Sequence, residues 1–149
     1  QLDRFLLRIR MGHPDRVAER RILSEQTGRR PLEGLAPVMS RAEAEALSMR
    51  VGDVRVDPSL VDYVLDEVER TRDTRRFLLG LSTRTAHAMH RAAQARALLE
   101  GRAYCVPDDV KSLCVPVFAH RLVVAPDGSG AYDAEAVLRE LLDTVPVPA

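Results

Sequence analysis

Six helix starts are written into this sequence as side-chain-to-backbone chemistry, and they constrain the fold more than any other feature. Ser40-Arg41-Ala42-Glu43 is a capping box, in which each side chain of the outer pair satisfies the other residue's amide, and it opens a short helix through Arg50. Asp57-Pro58 joins a capping acid to a proline suited to the first helical turn. Leu60, Val61, Val64, Leu65 and Val68 follow as an apolar stripe reaching about Thr71. Ser82 caps the longest stretch, 83–100, where Ala86, Met89, Ala93, Ala97 and Leu98 keep one face apolar until Gly101 ends it. Pro107-Asp108-Asp109 and Asp133 open two more helices, carrying Val110, Leu113, Val117 and Phe118, then Ala136, Val137, Leu141 and Leu142. His13-Pro14-Asp15 starts a helix at the other end of the chain, with Pro14 in its first position, running to about Glu25. The spacing therefore predicts an all-α fold, a small bundle of five or six helices joined by short loops.

One segment does not fit. Phe5, Leu7, Ile9 and Met11 alternate with Arg8 and Arg10, the period of a strand. Only Leu122-Val123-Val124 hints at another, and a lone strand is not stable in water. The expectation is an orphan strand whose partners belong to a longer protein, in keeping with a chain that begins at Gln1. Residues 27–39, broken by Gly28, Pro31, Gly34 and Pro37, read as a loop, residues 70–76 as a charged connector, and Pro126 to Gly130 as a turn.

Composition removes several function classes. Basic and acidic residues balance at 22 each, which argues against nonspecific binding of nucleic acid or an anionic membrane. No apolar run approaches the ~20 residues a membrane span needs. Two cysteines, Cys105 and Cys114, are too few for a disulfide framework and point to a reducing cytoplasm. Lys111 is the only lysine, a bias that a genome rich in G and C explains. His87 and His90 share a helix face but lack a visible third ligand, so no metal site is expected. No glycine-rich phosphate loop is present, and no Ser–His–Asp set can be singled out. Arg84 is the exception to these bland readings. It stands in the first turn of the 83–100 helix, where the dipole disfavours a cation unless an anion joins it.

The motifs, taken in order, resemble the C-terminal part of a MoxR-type AAA+ ATPase. They are Leu2-Asp3-Arg4-Phe5-Leu6-Leu7-Arg8, Gly12-His13-Pro14, Thr71-Arg72, Gly80-Leu81-Ser82-Thr83-Arg84 and Ala97-Leu98-Leu99-Glu100-Gly101-Arg102, then Pro107-Asp108-Asp109-Val110, Ala119-His120-Arg121-Leu122 and Val145-Pro146-Val147-Pro148. The resemblance implies that residues 1–12 are the last strand of an α/β ATPase core and 13–149 its helical lid domain. ATP and Mg would lie between core and lid of the complete protein, which would work as a homo-oligomeric ring of six subunits. The family acts in chaperone-like remodelling and metal-cofactor insertion, often beside a von Willebrand factor A domain protein. Two residues carry over: Arg84 matches the sensor-2 arginine that reaches the γ-phosphate of its own subunit's ATP, and Arg4 matches an arginine finger offered in trans to the neighbouring subunit. Without the P-loop, these 149 residues alone are expected to be inactive and to hold no cofactor.

The sequence departs from the family in two places. Thr83 stands where Pro is usual, and Val106 where a Thr commonly caps the next helix, a loss of about 1 kcal/mol. The competing readings are the lid of another AAA+ protein, such as magnesium chelatase or a replicative helicase, and a non-catalytic helical protein-interaction module.

Overall fold

The computed structural model describes residues 4–24, 34–126 and 133–148. The helical class holds. The helices are α1 (Arg16–Ser24), α2 (Arg41–Arg50), α3 (Pro58–Arg72), α4 (Thr83–Leu99), α5 (Pro107–Phe118) and α6 (Ala134–Leu142). Single 3-10 turns follow α2 at Val51–Asp53 and α5 at Ala119–Arg121.

The caps act locally as their chemistry requires. Ser40 and Glu43 exchange both bonds of the capping box, with Ser40 N donating to Glu43 Oε2 at 2.7 Å and Glu43 N donating to Ser40 Oγ at 3.2 Å. Asp57 and Asp133 each accept an amide two residues on, at 3.0 Å. Asp15 accepts the Ala18 amide at 2.7 Å. It therefore stands just outside α1 as its cap, and the helix begins at Arg16 rather than at Pro14. Val106 offers α5 no side-chain acceptor, yet half of the box survives: the Val106 amide donates to Asp109 Oδ2 at 2.9 Å. Arg102 then grips Asp109 with two bonds, of 2.6 and 2.8 Å. Burial alone would raise the Asp109 pKa, but Arg102, the Val106 amide and Arg96 outweigh it and hold the carboxylate below its ordinary range.

Helix α4 is the central element, packed between α3 and α5. Its buried stripe is built mostly of alanines (Ala86, Ala92, Ala93, Ala97) around a fully enclosed Met89, which lets neighbouring backbones approach closely. Val64, Val68, Val110, Val117, Phe118 and Leu138 complete the core. A backbone bridge ties the approach to α3 to the exit of α4, with Arg55 N donating to Ala103 O and Cys105 N to Arg55 O, both at 2.9 Å.

Two expectations need correction. The 70–76 connector is partly helix, since α3 continues through Arg72, and it then feeds a strand, β1 (Phe77–Leu79). This strand pairs antiparallel with β2 (Val123–Val124), the short apolar run that hinted at a strand. The second correction concerns the alternating N-terminal segment. Residues 5–11 form no strand and join no sheet, because the only sheet among the described residues is the β1–β2 pair. Their backbone groups bond instead to the far end of the bundle. Most of the expected 27–39 loop and the turn residues 127–130 lie outside the described residues.

Candidate functional site

The corner between α3 and α4 presents Arg84. Thr71, fully buried at the end of α3, accepts the Leu81 amide on its Oγ1 at 3.0 Å and donates the hydroxyl to Val68 O at 2.7 Å. Arg72 Nε donates to Leu81 O at 2.6 Å. Both backbone groups of Leu81 are thus held by the Thr71-Arg72 pair. The approach is so close that Gly80 has no room for a side chain: a Cβ there would meet Arg72 Cγ and the Thr71 carbonyl at 2.9 Å. Ser82 then caps α4 by accepting the Thr85 amide at 3.3 Å. The helix starts at Thr83 without the proline common in the motif. This fixed corner aims the first turn of α4 outward.

Arg84 is exposed in that turn and makes no hydrogen bond or ion pair among the described residues. The turn holds no acid, as in α3, whereas α1, α2 and α6 each carry one in theirs and α5 carries two. The positive end of the helix dipole and a free guanidinium therefore lie together, an arrangement that an anion would complete. Beside it runs an open, mainly apolar groove of about 450 Å³, lined by Val61, Leu65, Thr83, His87, His90 and Arg91 among others. Burial, then the nearby His87 and Arg91 charges, push the His90 pKa down and favour neutral imidazole. Among the described residues no three His, Cys, Asp or Glu side chains stand close enough to hold a metal.

Arg4 belongs to the N-terminal segment. It too is exposed with no partner among the described residues, and it immediately precedes a segment pinned across α5 and α6. No hydrogen bond or ion pair among the described residues joins Arg4 to Arg84. Alternation alone could not reveal the pinning of the Arg4 segment, because its partners lie more than 100 positions away.

A second cavity, of about 380 Å³, was not foreseen from the sequence. It is lined by Tyr63, Glu67, Lys111, Cys114, Arg139 and Val145 among others. Glu67 is fully buried there, and the Cys114 thiol donates to its carboxylate, with Sγ 3.4 Å from both oxygens. The signal was present in the sequence, since Glu67 falls in register with Leu60, Val64 and Thr71 on the inner face of α3.

Comparisons with known proteins agree with this architecture. The family model described as the AAA lid domain matches residues 69–141, from late α3 to the end of α6. Over 149 residues the chain is 39% identical to the uncharacterized protein YeaC of Bacillus subtilis, covering 99% of this chain and 47% of that one. It is 32% identical to chaperone MoxR1 of Mycobacterium tuberculosis, covering 99% of this chain and 41% of that one. Protein MoxR of Paracoccus denitrificans is 33% identical over 99% of this chain and 50% of its own. A crystal structure of a candidate ATPase from Cytophaga hutchinsonii superposes with a TM-score of 0.85 at 21% identity, over 99% of this chain and 48% of that one. The chain spans about half the length of the relatives it matches. Helical architecture, the α3–α4 corner and these likenesses converge: the chain belongs to the MoxR-type AAA+ ATPase family and carries its AAA lid domain.

Proposed function

We propose that this domain closes over ATP bound to the P-loop core of a complete MoxR-type ATPase, with Mg, and couples hydrolysis to chaperone-like remodelling or metal-cofactor maturation of a client protein. The observation that carries this reading is the exposed Arg84 guanidinium, unpaired among the described residues, at the acid-free N-terminus of α4. As sensor 2 it would meet the γ-phosphate of its own subunit's ATP, where a planar, permanently charged donor is best suited. Arg4, exposed at the entry to the domain, would serve as the arginine finger for the next subunit in a homo-oligomeric ring. Remodelling by such a ring, alongside a von Willebrand factor A domain partner, remains part of the same proposal. A lid alone supplies one phosphate contact, so the isolated 149-residue chain is expected not to turn over ATP.

The test is Arg84→Ala in the full-length protein. ATP turnover, nucleotide affinity or both should fall by about tenfold or more, a change of about 1.4 kcal/mol or more. The thermal midpoint should stay put, because the side chain is exposed and unpaired. Normal affinity together with normal turnover would refute the sensor role.

A further inference from the structure

The carbonyl of Phe5 is held by two donors from one motif. Arg121 Nη2 donates to it at 2.6 Å and His120 Nε2 lies 3.1 Å from it. A carbonyl only accepts, so Nε2 carries the imidazole proton, and both oxygen lone pairs are used. The same guanidinium donates through Nη1 to Val117 O at 2.7 Å, in the last turn of α5. Arg121 therefore bridges a carbonyl left over at a helix end to one in the N-terminal segment, with a rigid fork that fixes their separation. Both donor side chains are buried, which limits the water that competes for these bonds from their side.

Further along, the segment is pinned twice more. Arg8 N donates to Pro116 O at 2.8 Å, and Arg8 and Arg10 both reach Glu135 Oε1 at 2.8 Å. Residues 5–10 thus form a strap across α5, the 3-10 turn and α6. Arg4 is the residue immediately before the doubly held carbonyl, and its own side chain makes no hydrogen bond or ion pair among the described residues.

From this geometry we infer that His120 and Arg121 are positioning residues for Arg4, fixing the place from which its guanidinium reaches a nucleotide phosphate on the neighbouring subunit. The inference rests on the reading of Arg4 as an arginine finger. Neither residue touches nucleotide. They act by holding the peptide to which Arg4 is joined, and misplacement of a phosphate-stabilising charge by about 1 Å costs as much as 100-fold in rate.

The experiment compares Arg4→Ala, Arg121→Ala and the double variant in the full-length ATPase. Arg121→Ala should lower kcat by about 10- to 100-fold while KM for ATP stays within about twofold. The double variant should be no slower than Arg4→Ala alone, because a positioning residue has nothing to position once the finger is gone. Arg121→Lys, which keeps a charged donor, should recover part of kcat. If Arg121→Ala does not fold, His120→Leu carries the same comparison, with folding checked by thermal midpoint. Full turnover in Arg4→Ala would overturn the finger reading and this inference together. Slow turnover in Arg4→Ala combined with normal kcat in Arg121→Ala or His120→Leu would overturn the positioning role and leave the finger standing. Additive losses in the double variant would do the same, by showing that Arg121 acts only on the general fold.

Discussion

Glu67 supplies a quantitative test of the packing between α3 and α5. Its carboxyl is fully buried, and burial pushes its pKa up to about 7, against the opposing pull of the Tyr63 and Cys114 hydrogen bonds and the Lys111 charge. In the unfolded chain the same group titrates near its ordinary 4.5, so between those values the native protein binds more protons than the unfolded one. Stability from this group is therefore fully present below about pH 4.5 and is lost as the pH rises through about 7. The whole difference amounts to about 3 kcal/mol. Glu67→Gln keeps the volume and an acceptor for the Cys114 thiol but cannot ionise. Urea unfolding of parent and variant, measured in steps from about pH 5 to about pH 8, isolates the effect, because other titrating groups are common to both. The stability gap should open in favour of the glutamine by about 2–3 kcal/mol across that range. A gap that stays constant with pH, or closes, would refute the claim that desolvation governs this carboxyl.

Gly80→Ala should destabilise the domain by about 1–3 kcal/mol, seen as a lower urea midpoint, since its new methyl meets the Thr71 carbonyl and Arg72 Cγ at 2.9 Å. If that change also lowers nucleotide affinity in the full-length protein, the corner is what aims Arg84. Asp109→Ala removes both Arg102 bonds and the acceptor for the Val106 amide, and should lower stability by about 2–4 kcal/mol at neutral pH. Parent and Asp109→Ala should converge as the pH falls through the depressed pKa of Asp109, because the parent's carboxylate then loses its charge.

What the sequence disclosed and what it hid follow from the range of the forces involved. Helix starts at Ser40, Asp57, Ser82 and Asp133 were legible because a cap is a bond between residues two or three positions apart. Pro14 misplaced the start of α1 by two residues, since the sequence does not say whether Asp15 lies inside or outside the first turn. The strand Phe77–Leu79 was hidden because three residues are too few to show a period, and its pairing with Val123–Val124 is long-range. Glu67 was not singled out because the stripe was traced through apolar residues alone, although the register of α3 turns it inward.

The strap also bears on when the domain can finish folding. Phe5 is clamped by residues 115 and 116 positions downstream, and Arg8 by Glu135, 127 positions away. Closing a loop that long costs only slightly more entropy than closing a moderate one, but it cannot begin until the far end exists. As the ribosome delivers the chain, residues 4–10 cannot make these contacts until the turn at Ala119–Arg121 has been made and α5 has docked on α4. Helices α3, α4 and α5 are close in sequence and can associate first. The segment that carries Arg4 is therefore anchored to the helical bundle last, after the far end of the domain is in place.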